Sequence, residues 1–271
     1  MVEKDGIIIR DGQIILNSGE KLLVENLIEE ARRIRFISNQ HFKDISIRIL
    51  ESSRVVFENC IFENVFFENC DLREISFKNH TVIRNCTLRR CNLNGTLFYD
   101  SHIISSTFLS CQMQRPLLEN VSEMSACLFK KCRMHDIFFP LPEFQSNKII
   151  GKLSECTFGS KTQKVEKLHA DLSEAHLTFV DFLLCDLTET IRPEDPDILY
   201  IKNLSERSKK AQEKIATIQD DRKRRALSIH TESWMNEKYV DYLMSSKDYK
   251  WAWDDYFEDV AKCLELDWAL D

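Results

Sequence analysis

From Phe57 to Phe77 the chain reads FENCIFENVFFENCDLREISF, with a large apolar residue at Phe57, Phe62, Phe67, Leu72 and Phe77. A helix repeats its buried face every 3.6 residues and a strand every two, so a period of five belongs to neither. Periods longer than those of strand and helix mark repeat architecture. Backward, the frame runs through Ser52, Ile47 and Phe42. Forward it runs through Val82, then, after one extra residue, Leu88, Leu93, Phe98, Ile103, Phe108, Met113 and Leu118. After a second extra residue come Met124, Phe129, Met134 and Phe139. The rhythm breaks at PLPEFQSNKII, returns at Leu153 and Phe158, breaks at SKTQKVEK and closes with Leu172, Leu177, Phe182 and Leu187.

Two residues before each large residue sits a modest side chain, such as Cys60, Val65, Cys70, Cys86, Thr96, Ser106 or Ala175. The two residues after it are usually polar, as in Glu58-Asn59 and Arg73-Glu74. This small-x-large-polar-polar cycle resembles the pentapeptide-repeat family, and ADLSEAHLTFVDFLLCDLTE (170–189) follows its A(D/N)LXX consensus closely. The resemblance spans Phe42 to Glu189. It implies a mainly β fold, a right-handed quadrilateral β-helix with four pentapeptides to a coil. The residues agree: five positions suffice for a short extended stretch and a turn, and Asn, Asp and Ser tolerate turn dihedrals. Stacked coils then pair about 4.8 Å apart, each completing its neighbours.

Residues about twenty apart should therefore lie above one another, with coils starting at Phe57, Phe77, Phe98, Leu118 and Phe139. The fourth face then carries Leu72, Leu93, Met113 and Met134, with Cys70, Cys91, Cys111 and Cys132 at its small inward position. Cys156 and Cys185 are expected to extend that column. A structural metal site needs ligands converging on a point, whereas a column spreads them along a line. The cysteines are therefore read as compact, reduced packing residues. His80 is expected at a small inward position between Cys60 and Ser101, as a hydrogen-bonded structural residue.

Outward, one face shows Glu68-Asn69, Arg89-Arg90, Leu109-Ser110 and Lys130-Lys131 and is locally basic. One branch of the family, resembling the quinolone-resistance proteins, presents an acidic rod that imitates DNA to a topoisomerase. Arg89, Arg90, Lys130 and Lys131 interrupt any such rod, so DNA mimicry is the alternative and DNA binding is not expected. The breaks near 140–151 and 160–167 read as loop insertions where recognition can concentrate, with Phe144 exposed to a partner.

A β-helix needs capping at its ends. Residues 1–40 read as an N-terminal cap: GIIIRDGQIIL as a hairpin turning at Asp11-Gly12, and SGEKLLVENLIEEARRI as a short amphipathic helix capped by Ser18. The rod occupies 41–190, and Pro193 and Pro196 mark the boundary of a helical module, 191–271. Ala211, Ile215 and Ile218 form a weak apolar stripe there, and Asp221-Arg-Lys-Arg-Arg225 reads as a solvated basic knot. All four tryptophans fall in this module. Tyr256, Phe257, Val260, Leu264 and Trp268 recur at helical spacing. Trp251, Trp253, Tyr256, Phe257 and Trp268 are candidate contact residues, for another protein or for a second copy of the chain in a homodimer through the C-terminal helices.

The formal charge of −7 arises in the tail: His230 to Asp271 holds eleven Asp or Glu against four Lys. No run of eighteen apolar residues exists, so no membrane insertion is expected, and the first segment lacks the apolar core of an export signal. A cytoplasmic location in the producing cell is expected, with non-classical secretion as the route out. The seven histidines form no paired metal-ligand spacing, and only six glycines are present, none in a phosphate-cradling loop. No cofactor and no enzyme activity are expected. The leading reading is a bacterial protein-binding scaffold. The family resemblance adds secreted effectors that recognise host proteins, and an unrecognised activity in the C-terminal module is the third alternative.

Overall fold

The second residue after the inward one turns most corners, and it is usually polar. In the computed structural model, which describes residues 6–10, 13–16, 21–22, 35–49 and 54–266, Asn59, Asn64, Asn69, Asn85, Asp100, Ser105 and Ser110 hold φ between 48° and 56°. That left-handed region costs an ordinary L-residue about 1–2 kcal/mol. Asn and Asp bear it best because their side chains bond locally. Each corner N–H also donates to the next coil, as Asn64 does to the Arg84 carbonyl at 3.2 Å and Asn69 to that of Arg89 at 2.9 Å.

Between corners lie parallel strands mostly of three residues, with the central side chain inward. They stack into a four-faced β-solenoid of about seven turns. On the first face Ile37, Phe57, Phe77 and Phe98 are in register, and above them Phe139, Phe158 and Phe182. Their rings stack nearly parallel, Phe57 on Phe77 at 5.4 Å and Phe158 on Phe182 at 5.5 Å. The second face stacks Phe42, Phe62, Ile83, Ile103, Met124 and Phe144. The third carries Ile47, Phe67, Leu88, Phe108, Phe129 and Ile149. Leu72, Leu93, Met113, Met134 and Leu153 fill the fourth, all buried.

Several expectations need correction. The first extra residue lies before the second face, where Asn79 and His80 are both left-handed. Ile83, not Val82, therefore points inward, Thr81 takes the small inward position, and His80 is exposed beside Asp100 at 3.1 Å. PLPEFQSNKII does not loop out: Phe139, Phe144 and Ile149 keep the period of five, and Leu141 and Phe144 are fully buried. The irregularity comes later, where Ile149 to Leu153 takes four residues and one strand, Asn147–Ser154, runs straight through the corner at Gly151. A true excursion occurs at 161–165, all exposed, before Leu168 returns to the interior. Cys156 precedes Phe158 on the first face, and Cys185 lies in the strand Cys185–Asp186 beside Glu166–Lys167, so the cysteine column holds Cys70, Cys91, Cys111 and Cys132 only.

The small position is more than small. The Cys70 thiol donates to the Ile47 carbonyl one coil below at 3.2 Å, and Cys111 to that of Leu88 at 3.2 Å. Elsewhere Thr96 Oγ1 donates to the Leu72 carbonyl at 2.8 Å, Ser106 Oγ to that of Ile83 at 3.3 Å and Asn147 Nδ2 to that of Met124 at 2.9 Å. Cys, Thr, Ser and Asn are thus interchangeable donors to the main-chain oxygen of the inward residue beneath. Burial pushes the thiols of Cys86 and Cys156 up to about 11 and that of Cys127 to about 12, which keeps them protonated and donating.

At the N-terminal end Gly6–Arg10 and Gln13–Leu16 pair antiparallel, and Gly6–Ile9 lies parallel to Ser46–Ile49, extending the third face. Lys21–Leu22 is not helical but adds a strand to the hairpin's open edge, which offers unpaired backbone groups. The remainder of the expected helix, 23–34, lies outside the described residues. The first coil already begins at Arg35–Ser38, which pairs with Val55–Glu58.

Replacing Thr96 by Val keeps the shape and removes one of the two hydrogen bonds to the Leu72 carbonyl, which keeps that from the Ile75 N–H, so urea unfolding should show a loss of about 0.5–1.5 kcal/mol. Cys91 and Cys111, each about 1% exposed, should resist thiol reagents in the native protein and react on unfolding.

Candidate binding surfaces

After the rod, the described residues fold into four α-helices, α1 (Leu204–Ala216), α2 (Asp221–Glu232), α3 (Ser246–Trp253) and α4 (Phe257–Cys263), with a ribbon of Ile198–Ile201 against Tyr242–Ser245. Leu204, Ser208, Ala211 and Ile215 put one face of α1 inward. Asp220 caps α2 by accepting from the Arg222 and Lys223 N–H groups, and Ser245 caps α3 through the Asp248 N–H. The basic knot is half compensated: Arg224 pairs with Asp221 and Lys223 with Asp259 at 2.6 Å, while Arg222 and Arg225 are exposed.

A final coil has N–H groups with no coil beyond it to receive them. Here the module supplies the acceptors. The Leu184 N–H donates to the Lys238 carbonyl at 2.6 Å, and the Phe179 N–H to Asp248 Oδ2 at 2.8 Å. Buried Asp241 accepts from the Leu187 N–H at 3.2 Å and from the Tyr200 hydroxyl at 2.8 Å. The Tyr242 hydroxyl donates to Asp181 at 2.8 Å, and its ring meets Phe182 edge-on at 5.8 Å.

The module divides the proposed contact residues. Tyr249 and Trp253 are four apart on α3, share its inner face and meet at 4.9 Å. Trp253 also contacts Trp234 and Phe257. Trp253 and Phe257 are therefore buried core, the interfacial reading failing there because the module needs its own interior. Tyr256 lies half-buried in a short turn between α3 and α4. Trp251, two residues from Trp253, faces outward with 78% of its surface exposed and touches Phe179 of the rod at 5.9 Å. Trp268 lies outside the described residues, and Phe144 is withdrawn from the surface by its place in the second-face stack.

On the rod's sides, charges stacked one coil apart compensate each other. Glu63 receives Lys43 at 3.1 Å and Arg84. Hydrogen bonds from Arg84 and then Lys43 hold its carboxyl down to about 2. Arg89 is likewise engaged by Glu68 and lies over the Phe66 ring at 5.2 Å. Arg90, Lys130 and Lys131 are exposed, and none has a carboxylate partner among the described residues. The structure adds Arg133 and Lys152, likewise exposed and unpaired. Each stands one residue before an inward residue of the fourth face, a position that the column pattern marks once the four-residue step at Gly151 is recognised. No group of three or more metal-ligating side chains converges among the described residues, and no helix there is long and apolar enough to cross a membrane.

No family model matches the chain, and no curated protein does. Among solved structures, a trypsin-treated form of QnrB1, a plasmid-mediated fluoroquinolone resistance protein, is 15% identical over 59% of this chain and 78% of that one, with a TM-score of 0.34. Full-length QnrB1 is 12% identical over 59% and 87%, with a TM-score of 0.29. HetL, a pentapeptide-repeat protein involved in heterocyst differentiation regulation in the cyanobacterium Nostoc, is 12% identical over 59% and 87%, with a TM-score of 0.19.

Asp241→Ala leaves the Leu187 N–H without its acceptor and should cost about 1–3 kcal/mol in urea unfolding, whereas Trp251→Ala should stay within about 0.5 kcal/mol of the wild type. For Glu63 the folded carboxyl titrates below the unfolded one, so its contribution is present above about pH 4.3 and is lost as pH falls through about 2. The stability advantage of wild type over Glu63→Gln at neutral pH should accordingly vanish across that window in pH-dependent denaturation.

Proposed function

We propose that the chain, a four-faced β-solenoid whose sequence resembles the pentapeptide repeat, acts as a non-enzymatic protein-binding scaffold. The coil interior is filled by its own side chains, so recognition falls to the faces and corners, where side chains are held at a fixed spacing of about 4.8 Å. The observation that carries the reading is the gathering of uncompensated cations, Arg90, Lys130, Lys131, Arg133 and Lys152, on one corner of a rod that neutralises most of its other charges. The Trp251–Phe179 pair offers a second contact surface on the C-terminal module, for a partner or a second copy of the chain. An effector or adaptor would use such a scaffold in the same way, by contact rather than by chemistry.

The immobilised full chain should retain a discrete polypeptide from lysate, and titration calorimetry with that purified polypeptide should give a saturable complex. Retention of nothing above a control of denatured chain overturns the reading. If the module contributes, Trp251→Ala should weaken the complex several-fold without lowering stability.

A further inference from the structure

The five uncompensated cations form one short ladder. The Arg90 N–H donates to the Leu109 carbonyl, the Ser110 N–H to that of Lys130 and the Lys131 N–H to that of Ile150, which places Arg90 and Lys131 two coils apart on one corner. Lys130 stands beside Lys131 in the same coil. Arg133 and Lys152 precede Met134 and Leu153, which pair directly, so they sit on adjacent coils of the fourth face. From Arg90 to Lys152 the ladder climbs three rungs, about 14 Å.

Beyond it the corner opens into a groove of about 470 Å³, lined by Lys131, Ile150, Gly151, Ala175, His176 and Pro193. The opening follows from the four-residue step. Gly151, at φ +134°, lets the strand run straight where other coils project a corner residue, and a side chain there would be strained. Glu174, engaged by Lys148, Glu194 and Asp195 line the same groove, and Asp71, already engaged by Arg73, occupies the fourth face below.

We propose that this corner binds a short acidic segment of a partner polypeptide in extended form, with an apolar residue at one end seated against Ile150, Ala175 and Pro193. The proposal rests on the scaffold reading and names the chemistry of its partner. A span of about 14 Å accommodates roughly four extended residues at about 3.3 Å each. Proteins that track a duplex neutralise about six to ten phosphates, whereas this ladder has five cations and carboxylates beyond both ends, which favours a peptide over nucleic acid. The cations are exposed, so the attraction is screened over about 8 Å at physiological salt and must weaken as salt rises.

The test is fluorescence anisotropy on the full chain with a labelled peptide of four Asp and Glu residues ending in Leu, its Asn/Gln counterpart, and a labelled thymidine hexanucleotide. The acidic peptide should bind in low salt, at least about tenfold more tightly than the neutral one, and lose most of that preference near 0.3 M salt. Lys131→Glu/Arg133→Glu should weaken it at least tenfold with an unchanged melting profile, while Lys78→Glu on the first face should change it less than about twofold. The proposal is overturned by failure of the acidic peptide to bind, by equal binding to the double variant, or by tighter binding of the oligonucleotide. A captured protein partner that binds the double variant undiminished would remove the corner and leave the scaffold standing. Peptide binding without any captured partner would do the reverse.

Discussion

The molecule depends on the hydrogen bonds that one coil makes to the next. A single coil of short strands cannot satisfy its backbone or bury its four inward side chains, and its neighbours complete both. The corner N–H groups reach into the adjacent coil, as do the small inward residues, whose thiol, hydroxyl or amide donates to the main-chain oxygen of the large residue beneath. This second set explains a sequence preference that packing alone leaves open. Valine and alanine fill the space without a donor, as Val65 and Ala175 do, but cysteine, threonine and serine fill it and add a hydrogen bond to the coil beneath. The buried hydroxyl of Ser101 has no partner.

The same dependence dictates how the rod must stop. Its last coil has donors aimed at a coil that does not follow, and the helical module answers them with the Lys238 carbonyl and the Asp248 and Asp241 carboxylates. The module is therefore part of the rod's stability, and removing it would uncover Phe182 and Cys185, now fully buried. Its own interior consumes Trp234, Trp253 and Phe257, which leaves Trp251 as its exposed indole among the described residues.

Surface charge obeys the coil spacing as well. An acid and a base about twenty residues apart in sequence become neighbours about 4.8 Å apart, and Glu63 and Glu68 each gather cations from the coils on either side. A surface pair of this kind adds little stability by itself. What it does is flatten the field of the rod, so that a corner where compensation is missing stands out electrostatically.

The period of five, the inward set it selects and the column from Cys70 to Cys132 were all legible from residue types, because a repeat is written locally and each unit carries its own strand and turn. The antiparallel pairing of Gly6–Arg10 with Gln13–Leu16 was legible for the same reason. An extra residue, however, can be accommodated on either side of an inward position, and the periodic frame placed Val82 and His80 inward where Ile83 and Thr81 face the core. Backbone pairing to the coils of Phe62 and Ile103 decided it. Proline in PLPEFQSNKII suggested a loop, yet Phe144 is held inside by the stack on Met124, a contact with a residue twenty positions away. Which tryptophan shows, which arginine is neutralised and which cations remain free were likewise decided by tertiary structure alone, since each depends on what the neighbouring coil or helix places opposite it.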